Sequence, residues 1–254
     1  MRIAVFSDTH GNSIALDAVL ADIAAIGGVD AHWFVGDAAP IGFDPVGTTQ
    51  RLVGLDNLVA VHGNGDRRVA TDSEVVREIT AQFIATASED EASIWRQVLA
   101  DSEWTREGLK CAGLFDWVTG LPLEQRLTLP DGTRVLLVHA APGTDSGAGI
   151  NASQSEAEHR ALLAGVDADL VIVGHTHQPL EMEIDGVRAI NLGCVSNPPG
   201  AEQRAMWTLL DARETGYTVE RRLAAYDLAA VRDRLARDGA PARDYVLRYF
   251  TEET

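Results

Sequence analysis

The chain has 254 residues, 46 % of them apolar, which is enough for one large core or two small ones. Its formal net charge of −17 argues against duplex DNA or another long polyanion as partner, because such binding rests on basic surfaces. No apolar run approaches the roughly eighteen residues of a membrane-spanning helix, so no membrane partner is expected.

In chain order, Ile3-Ala4-Val5-Phe6 predicts a strand over 2–7 that ends on Ser7-Asp8-Thr9-His10. A helix over 13–26 follows, with Leu16, Val19, Leu20 and Ile23 at helical spacing. A strand over 32–36 delivers Gly36-Asp37. Next come a helix over 46–55 and a strand over 57–62 that delivers Gly63-Asn64-Gly65-Asp66. Residues 72–119 lack strand alternation and predict two or three inserted helices. Val76, Ile79, Phe83 and Ile84 form one stripe there, and Ile94, Trp95, Val98 and Leu99 another. Core-facing stripes are the expected reading. Coming directly after the Asn64 loop, the insertion is also expected to overhang that loop and shape a pocket, with Trp104 mainly packing in the core.

Residues 124–129 and 134–138 flank Pro130-Asp131-Gly132 and predict a hairpin whose second strand ends on Val138-His139-Ala140. A polar helix over 153–164 should leave His159 facing solvent. Leu170-Val171-Ile172-Val173 leads into Gly174-His175-Thr176-His177. Strands over 180–184 and 188–192 flank Asp185-Gly186, a second hairpin signal. Strands over 206–210 and 218–223 and a helix over 228–237 complete the pattern. The tail over 244–254 carries Tyr245, Leu247, Tyr249 and Phe250, and is expected to cover a core edge or meet a partner subunit; oligomeric state is left open. No Pro/Gly/Ser-rich linker separates a second core. Strand–helix alternation followed by hairpins therefore predicts a single α/β domain over 1–254, two packed sheets with helices outside both and a helical tail over 227–254.

Asp8, His10, Asp37, Asn64, His139, His175 and His177 thus fall at or just beyond strand ends, which would gather them on one rim. Four of the seven histidines lie in these motifs; His32, His62 and His159 do not. Seven N/O ligands without cysteine exceed the four of a structural zinc site. Mixed oxygens and imidazoles suit Mn, Fe, Zn or Ni better than Mg or Ca. Two dications, about 3.5–4 Å apart, fit this set better than one, with Asp37 the natural bridge.

The ordered series Asp8-x-His10, Gly36-Asp37, Gly63-Asn64-x-Asp66, His139 and Gly174-His175-Thr176-His177 resembles the calcineurin-like metallophosphoesterases, most of all their compact bacterial and archaeal phosphodiesterase-type branch. Ile190-Asn191-Leu192-Gly193-Cys194-Val195-Ser196-Asn197-Pro198 extends the match, which runs to about residue 240. The resemblance implies a four-layer αββα sandwich of two mixed sheets flanked by helices. It implies one metal, manganese favoured, on Asp8, His10, Asp37 and His177. A second would sit on Asp37, Asn64, His139 and His175. It implies in-line attack on phosphorus by a hydroxide bridging the metals, and the acidic charge favours a small or short phosphoester as substrate.

One position departs from the family pattern. Where relatives carry a histidine that helps the leaving group, this chain has Gly65, which can neither donate a proton nor hold charge. A positioned acid contributes about 10²–10⁴-fold, so a phosphodiester with an undemanding leaving group is favoured over a monoester, and Gly65→His is expected to improve poor leaving groups. His62 is offset by three residues and should face away. Arg67 is the candidate phosphate contact, whereas Arg68 is expected to be solvated.

Gly65 also motivates a second reading, a protein-binding scaffold or regulator on the same fold, like the retromer subunit of this architecture. A scaffold should lose ligands by drift, and all seven positions here are ligand-competent, which favours the hydrolase. Cys111 and Cys194 lack metal or redox spacing. With a strand starting at Arg2, the expectation is free thiols in a reducing cytosol. Cys194 is expected near the metals but not as a ligand.

Overall fold

The computed structural model describes residues 1–250; residues 251–254, the end of the expected tail, lie outside the described residues. In chain order the elements are β1 (Arg2–Phe6), α1 (Ser13–Ala25), β2 (Ala31–Val35), α2 (Pro45–Val53), β3 (Leu58–Val61) and α3 (Asn64–Ala70). Then come α4 (Ser73–Thr86), α5 (Glu89–Cys111), α6 (Phe115–Thr119), β4 (Glu124–Thr128), β5 (Arg134–Val138) and α7 (Glu156–Leu163). The chain continues through β6 (Leu170–Val173), β7 (Leu180–Ile184), β8 (Val187–Asn191), β9 (Ala205–Arg213) and β10 (Gly216–Ala224). It ends with α8 (Leu228–Arg237), α9 (Arg243–Val246) and a 3₁₀ turn (Leu247–Tyr249).

The strands form two mixed sheets, ordered β10-β9-β1-β2-β3 and β4-β5-β6-β8-β7. Alternate residues explain how they stack. Ile3 and Val5 of β1 meet Val135 and Leu137 of β5 and Leu170 and Ile172 of β6 between the sheets. Ala4 and Phe6 face the other way, onto Leu16 and Val19 of α1 and Leu52 of α2. Leu136 and Val138 turn outward to Leu163 of α7. Apolar runs without alternation are therefore strands buried on both faces, and the result is the four-layer αββα sandwich.

Strand direction positions the site. β1, β2 and β3 are parallel, as are β5, β6 and β8. The loops after β1, β2, β3, β5 and β6 leave along one edge, where an open α/β sheet binds its ligands. Val195 N–H donates to Ser7 O at 3.0 Å and Ser196 N–H to Asp8 O at 2.9 Å, fastening the loop after β8 to that edge.

Local chemistry moves several predicted boundaries. Ser155 and Glu158 form a capping box, so α7 starts at Glu156, later than the expected 153. His159 is buried rather than solvated, its Nε2 donating to Asn151 O at 2.9 Å, because α7 packs this side toward the sheet. Asn64, expected in a loop, opens the short helix α3. The α4 stripe is only partly core: Val76 is buried, but Ile79 and Phe83 are 48 % and 52 % exposed. Trp104 is half-buried and borders a shallow groove with Phe43 and Val46 rather than packing fully in the core.

Candidate metal centre

Five of the seven predicted ligands hold left-handed backbone: Asp8 (φ 58°), His10 (44°), Asp37 (58°), His175 (68°) and His177 (59°). Each such non-glycine residue costs about 1–2 kcal/mol. The sharp turns let the chain leave a strand end while aiming a side chain back over the sheet edge.

All seven side chains converge. His177 Nε2 lies 3.2 Å from Asp8 Oδ1 and 3.0 Å from His10 Nε2. His139 Nε2 is 3.6 Å from Asp37 Oδ2 and 3.9 Å from Asp8 Oδ1. Asn64 Oδ1 meets His175 Nδ1 at 2.9 Å, and the His175 ring stands edge-on to His139 with centroids 5.2 Å apart. Asp8, His10 and His177 make one compact set of donor atoms; Asp8, Asp37 and His139 make another. Asp37 Oδ2 also lies 3.9 Å from His10 Nε2, so both carboxylates stand between the halves.

Backbone carbonyls fix three ring tautomers. His10 Nδ1 donates to Pro40 O at 3.0 Å, His139 Nδ1 to Val35 O at 2.7 Å and His177 Nδ1 to Asn197 O at 2.7 Å. A carbonyl only accepts, so each Nδ1 carries a proton and Nε2 is the atom left to bind a cation once any proton on it is displaced, as metal-ligating imidazoles are usually held. Asp8 Oδ1 and His139 Nε2 are buried without a hydrogen-bond partner, a costly state unless a cation completes them. The donor set therefore fits divalent metal ions.

The electrostatics agree. Burial pushes Asp8 up, but the His177 and His139 imidazoles outweigh it and hold the carboxyl well below the usual range. Burial likewise opposes ionisation of Asp37, and His139 and His10 reverse the shift. Burial lowers His139 while Asp37 and Asp8 raise it above the ordinary imidazole value. His177 is raised further, against burial, with Cys194 and Asp8 beside it. Cys194 is itself buried, with its thiol pushed up by desolvation. The cluster favours added positive charge, whether proton or metal.

Asp66, left without a role by the sequence, supports the Asp37 turn from behind. It is fully buried, and its oxygens accept from Asp37 N at 2.8 Å, Ala38 N at 2.9 Å and Gly63 N at 3.0 Å. Burial and the nearby Asp37 carboxylate raise its pKa to about 6. Its place at the third position of α3 in the Gly63-Asn64-Gly65-Asp66 run was the available signal.

Gly65 has a spatial explanation. Its N–H donates to Asp37 Oδ1 at 2.7 Å, and a Cβ there would stand 2.7 Å from Pro40 Cγ and 2.9 Å from Asp37 Oδ1. A histidine cannot enter without displacing a proline ring or the carboxylate, which removes the basis for expecting a gain from Gly65→His.

The arginines also differ from expectation. Arg67 makes a two-pronged pair with Asp145, at 2.5 and 3.0 Å, so its fork is engaged by a carboxylate. His62 Nδ1 lies 3.2 Å from the same Asp145. Burial disfavours the Asp145 carboxylate, but His62 and Arg67 hold it well below the ordinary range. Arg68 is not solvated as expected: its Nε donates to Ser102 Oγ at 2.9 Å and its Nη2 is enclosed without a partner. The long helix α5 lies over it and supplies Ser102.

A cavity of about 220 Å³ opens over the cluster, lined by His10, Asp37, Asn64, His175 and His177. Tyr245 and Tyr249, expected at a core edge or interface, line it too, with their hydroxyls 2.7 Å apart. Val246 and Phe250 of the tail enter the core beside Val231 and Leu235, with Leu247 and Tyr249 packed against them, as expected of a segment that covers a core edge.

A family model described as the calcineurin-like phosphoesterase superfamily domain matches residues 1–215. A hypothetical protein from Pyrococcus horikoshii superposes with a TM-score of 0.82 at 18 % identity, covering 99 % of this chain and 98 % of that one. A metallophosphoesterase from Sphaerobacter thermophilus superposes with a TM-score of 0.73 at 24 % identity, covering 98 % of each chain. No curated protein sequence matches the chain.

Proposed function

Because the chain belongs to the calcineurin-like phosphoesterase superfamily, we propose that it hydrolyses a phosphoester, a diester in preference to a monoester, with two divalent transition metals. Asp8, His10, Asp37 and His177 would hold one ion and Asp37, Asn64, His139 and His175 the other, manganese favoured over iron, zinc or nickel. Two dications bound there would lower the pKa of a water and polarise the phosphoryl oxygens.

The observation that carries this reading is the convergence of three Nε2 atoms on two buried carboxylates, with Asp8 Oδ1 and His139 Nε2 unpartnered. The protein's own work is orientation. Val35, Pro40 and Asn197 hold the imidazole tautomers through Nδ1. Asp66 and the Gly65 N–H fix Asp37. Position 65 supplies no proton donor, so the leaving group should depart with little assistance, which favours diesters of acidic alcohols. The acidic chain suits a small or short substrate. Two free thiols, Cys111 and Cys194, suit a reducing compartment such as the cytoplasm.

A non-catalytic scaffold was motivated by Gly65 alone, and the Pro40 ring packed where a side chain would stand gives that residue a steric reason. The test is turnover of an activated aryl phosphodiester with Mn²⁺ by the protein and by Asp37→Asn. A loss of about 10²-fold or more is expected; equal rates would end the hydrolase reading.

A further inference from the structure

A second cleft, of about 450 Å³, adjoins the metal cavity and shares Asn64 and His175 with it. Its far wall is the α4 stripe, Val76, Ile79 and Phe83, with Trp95 of α5. Phe83 and Trp95 are stacked, rings 11° from parallel and centroids 5.2 Å apart. Arg67 and Arg68 also line it. Ile79 and Phe83 are among the few large apolar side chains about half exposed in the described chain. A contiguous apolar patch of this kind marks a ligand groove or an interface. Small-molecule sites combine such walls with a few polar groups.

We propose that this cleft seats an aromatic group of the phosphoester, so that the substrate is a phosphate ester carrying an aryl or heteroaromatic-base moiety. The proposal rests on the phosphoesterase reading above. Continuity decides for a substrate group over other occupants: a phosphate held between Asn64 and His175 has one ester arm directed along the cleft to the exposed Phe83 face. The Arg67 guanidinium on the cleft lining is paired with Asp145 and Arg68 is enclosed, so the cleft is selected by its apolar face rather than by charge. An aromatic face also gains from stacking and area burial where a methyl ester gains neither. His175 and Asn64 thereby belong to both compartments, the ion-binding one and the one that selects the alcohol.

The experiment is calorimetric binding of methyl phosphate, 1-naphthyl phosphate and adenosine 5′-monophosphate to the Mn²⁺-loaded protein, its Phe83→Ala and Ile79→Ser variants, and sedimentation of all three proteins. Both side chains are about half exposed, so their truncation removes little core packing. At least one aromatic ester should bind about tenfold or more tightly than methyl phosphate, an advantage of the size expected for burying a ring face. The substitutions should pull that ratio toward one. An advantage confined to naphthyl phosphate identifies an apolar aryl group, and one shared by the nucleotide identifies a base. Equal affinities of the three esters overturn the proposal while leaving the phosphoesterase reading intact. Binding of none of them also overturns the proposal, whereas the phosphoesterase reading stands or falls on the aryl phosphodiester turnover described above. A dimer that Phe83→Ala splits, with equal ester affinities, assigns the cleft to a second copy of the chain and overturns the proposal.

Discussion

Gly65 and Asp37 share one small volume: the Gly65 N–H donates to Asp37 Oδ1 at 2.7 Å, and any Cβ on Gly65 would stand 2.9 Å from that oxygen. Position 65 is therefore part of how Asp37 is held. Gly65→Ala and Gly65→His should both weaken metal binding and lower turnover, by about tenfold or more, since small displacements of a ligand's support cost about 10–100-fold. Metal stoichiometry and Mn²⁺-dependent turnover, measured together, check this. A faster histidine variant would show that the loop around Pro40 yields more easily than its packing suggests.

Metal affinity should rise with pH. His139 and His177 are held above the ordinary imidazole value of about 6.5, so a metal must displace their protons, while Asp8 and Asp37, held low, are already anionic. Between pH 8 and pH 6 the apparent Kd for Mn²⁺ should weaken by up to about tenfold per unit for each proton displaced. Calorimetry in buffers of different ionisation enthalpy counts those protons. A pH-independent Kd with no proton release contradicts the assignment of these two histidines.

The His62–Asp145–Arg67 cluster predicts a pH-dependent stability in the metal-free protein. Asp145 raises His62, against burial. The His62 contribution is thus complete below the unfolded value of about 6.5 and is lost as pH rises through its higher folded value. Asp145 is lowered, so its contribution is present above about 3.9 and is lost as pH falls. Asp145→Asn should therefore cost about 1–2 kcal/mol at pH 6, and less at pH 9, where only the half-exposed Arg67 pairing remains. Urea denaturation at the two pH values checks it; an equal cost at both would remove His62 from the cluster.

Asp66 takes three backbone N–H donors with two oxygens. Asparagine would turn an amide N–H₂ toward at least one of those donors. Asp66→Asn should destabilise the metal-free protein by roughly 2–4 kcal/mol and lower metal occupancy with it, because Asp37 N is one of the three. Thermal unfolding and elemental analysis of the purified variant measure both effects. A stable variant with full metal content would show that Asp37 is held from elsewhere.

The two-sheet layout was legible because Ile3–Phe6, Val135–Val138 and Leu170–Val173 are apolar on both faces, and because Asp131-Gly132 and Asp185-Gly186 mark hairpins. Asp185 and Gly186 indeed adopt positive φ at 51° and 83°. The seven candidate ligands were legible because each follows a short apolar run. Long-range pairings were not. Asp145 meets His62 and Arg67 across more than seventy residues, and nothing in the loop after His139 distinguishes it. Helical spacing gave the α4 stripe but not what faces it, so Ile79 and Phe83 read as core when they line a cleft. Gly65 read as a lost acid, since Pro40, which fills the space its side chain would need, is distant in sequence.

Asp8, His10, Asp37, His175 and His177 all turn left-handed where glycine would rest without penalty. A chain relieved of its chemistry could therefore gain stability by surrendering these side chains one at a time. Their joint persistence means that folding free energy is forgone at five separate places for the sake of what they hold. Ion loading should return part of that sacrifice, making the holoprotein the resting form and the apoprotein a tensioned one.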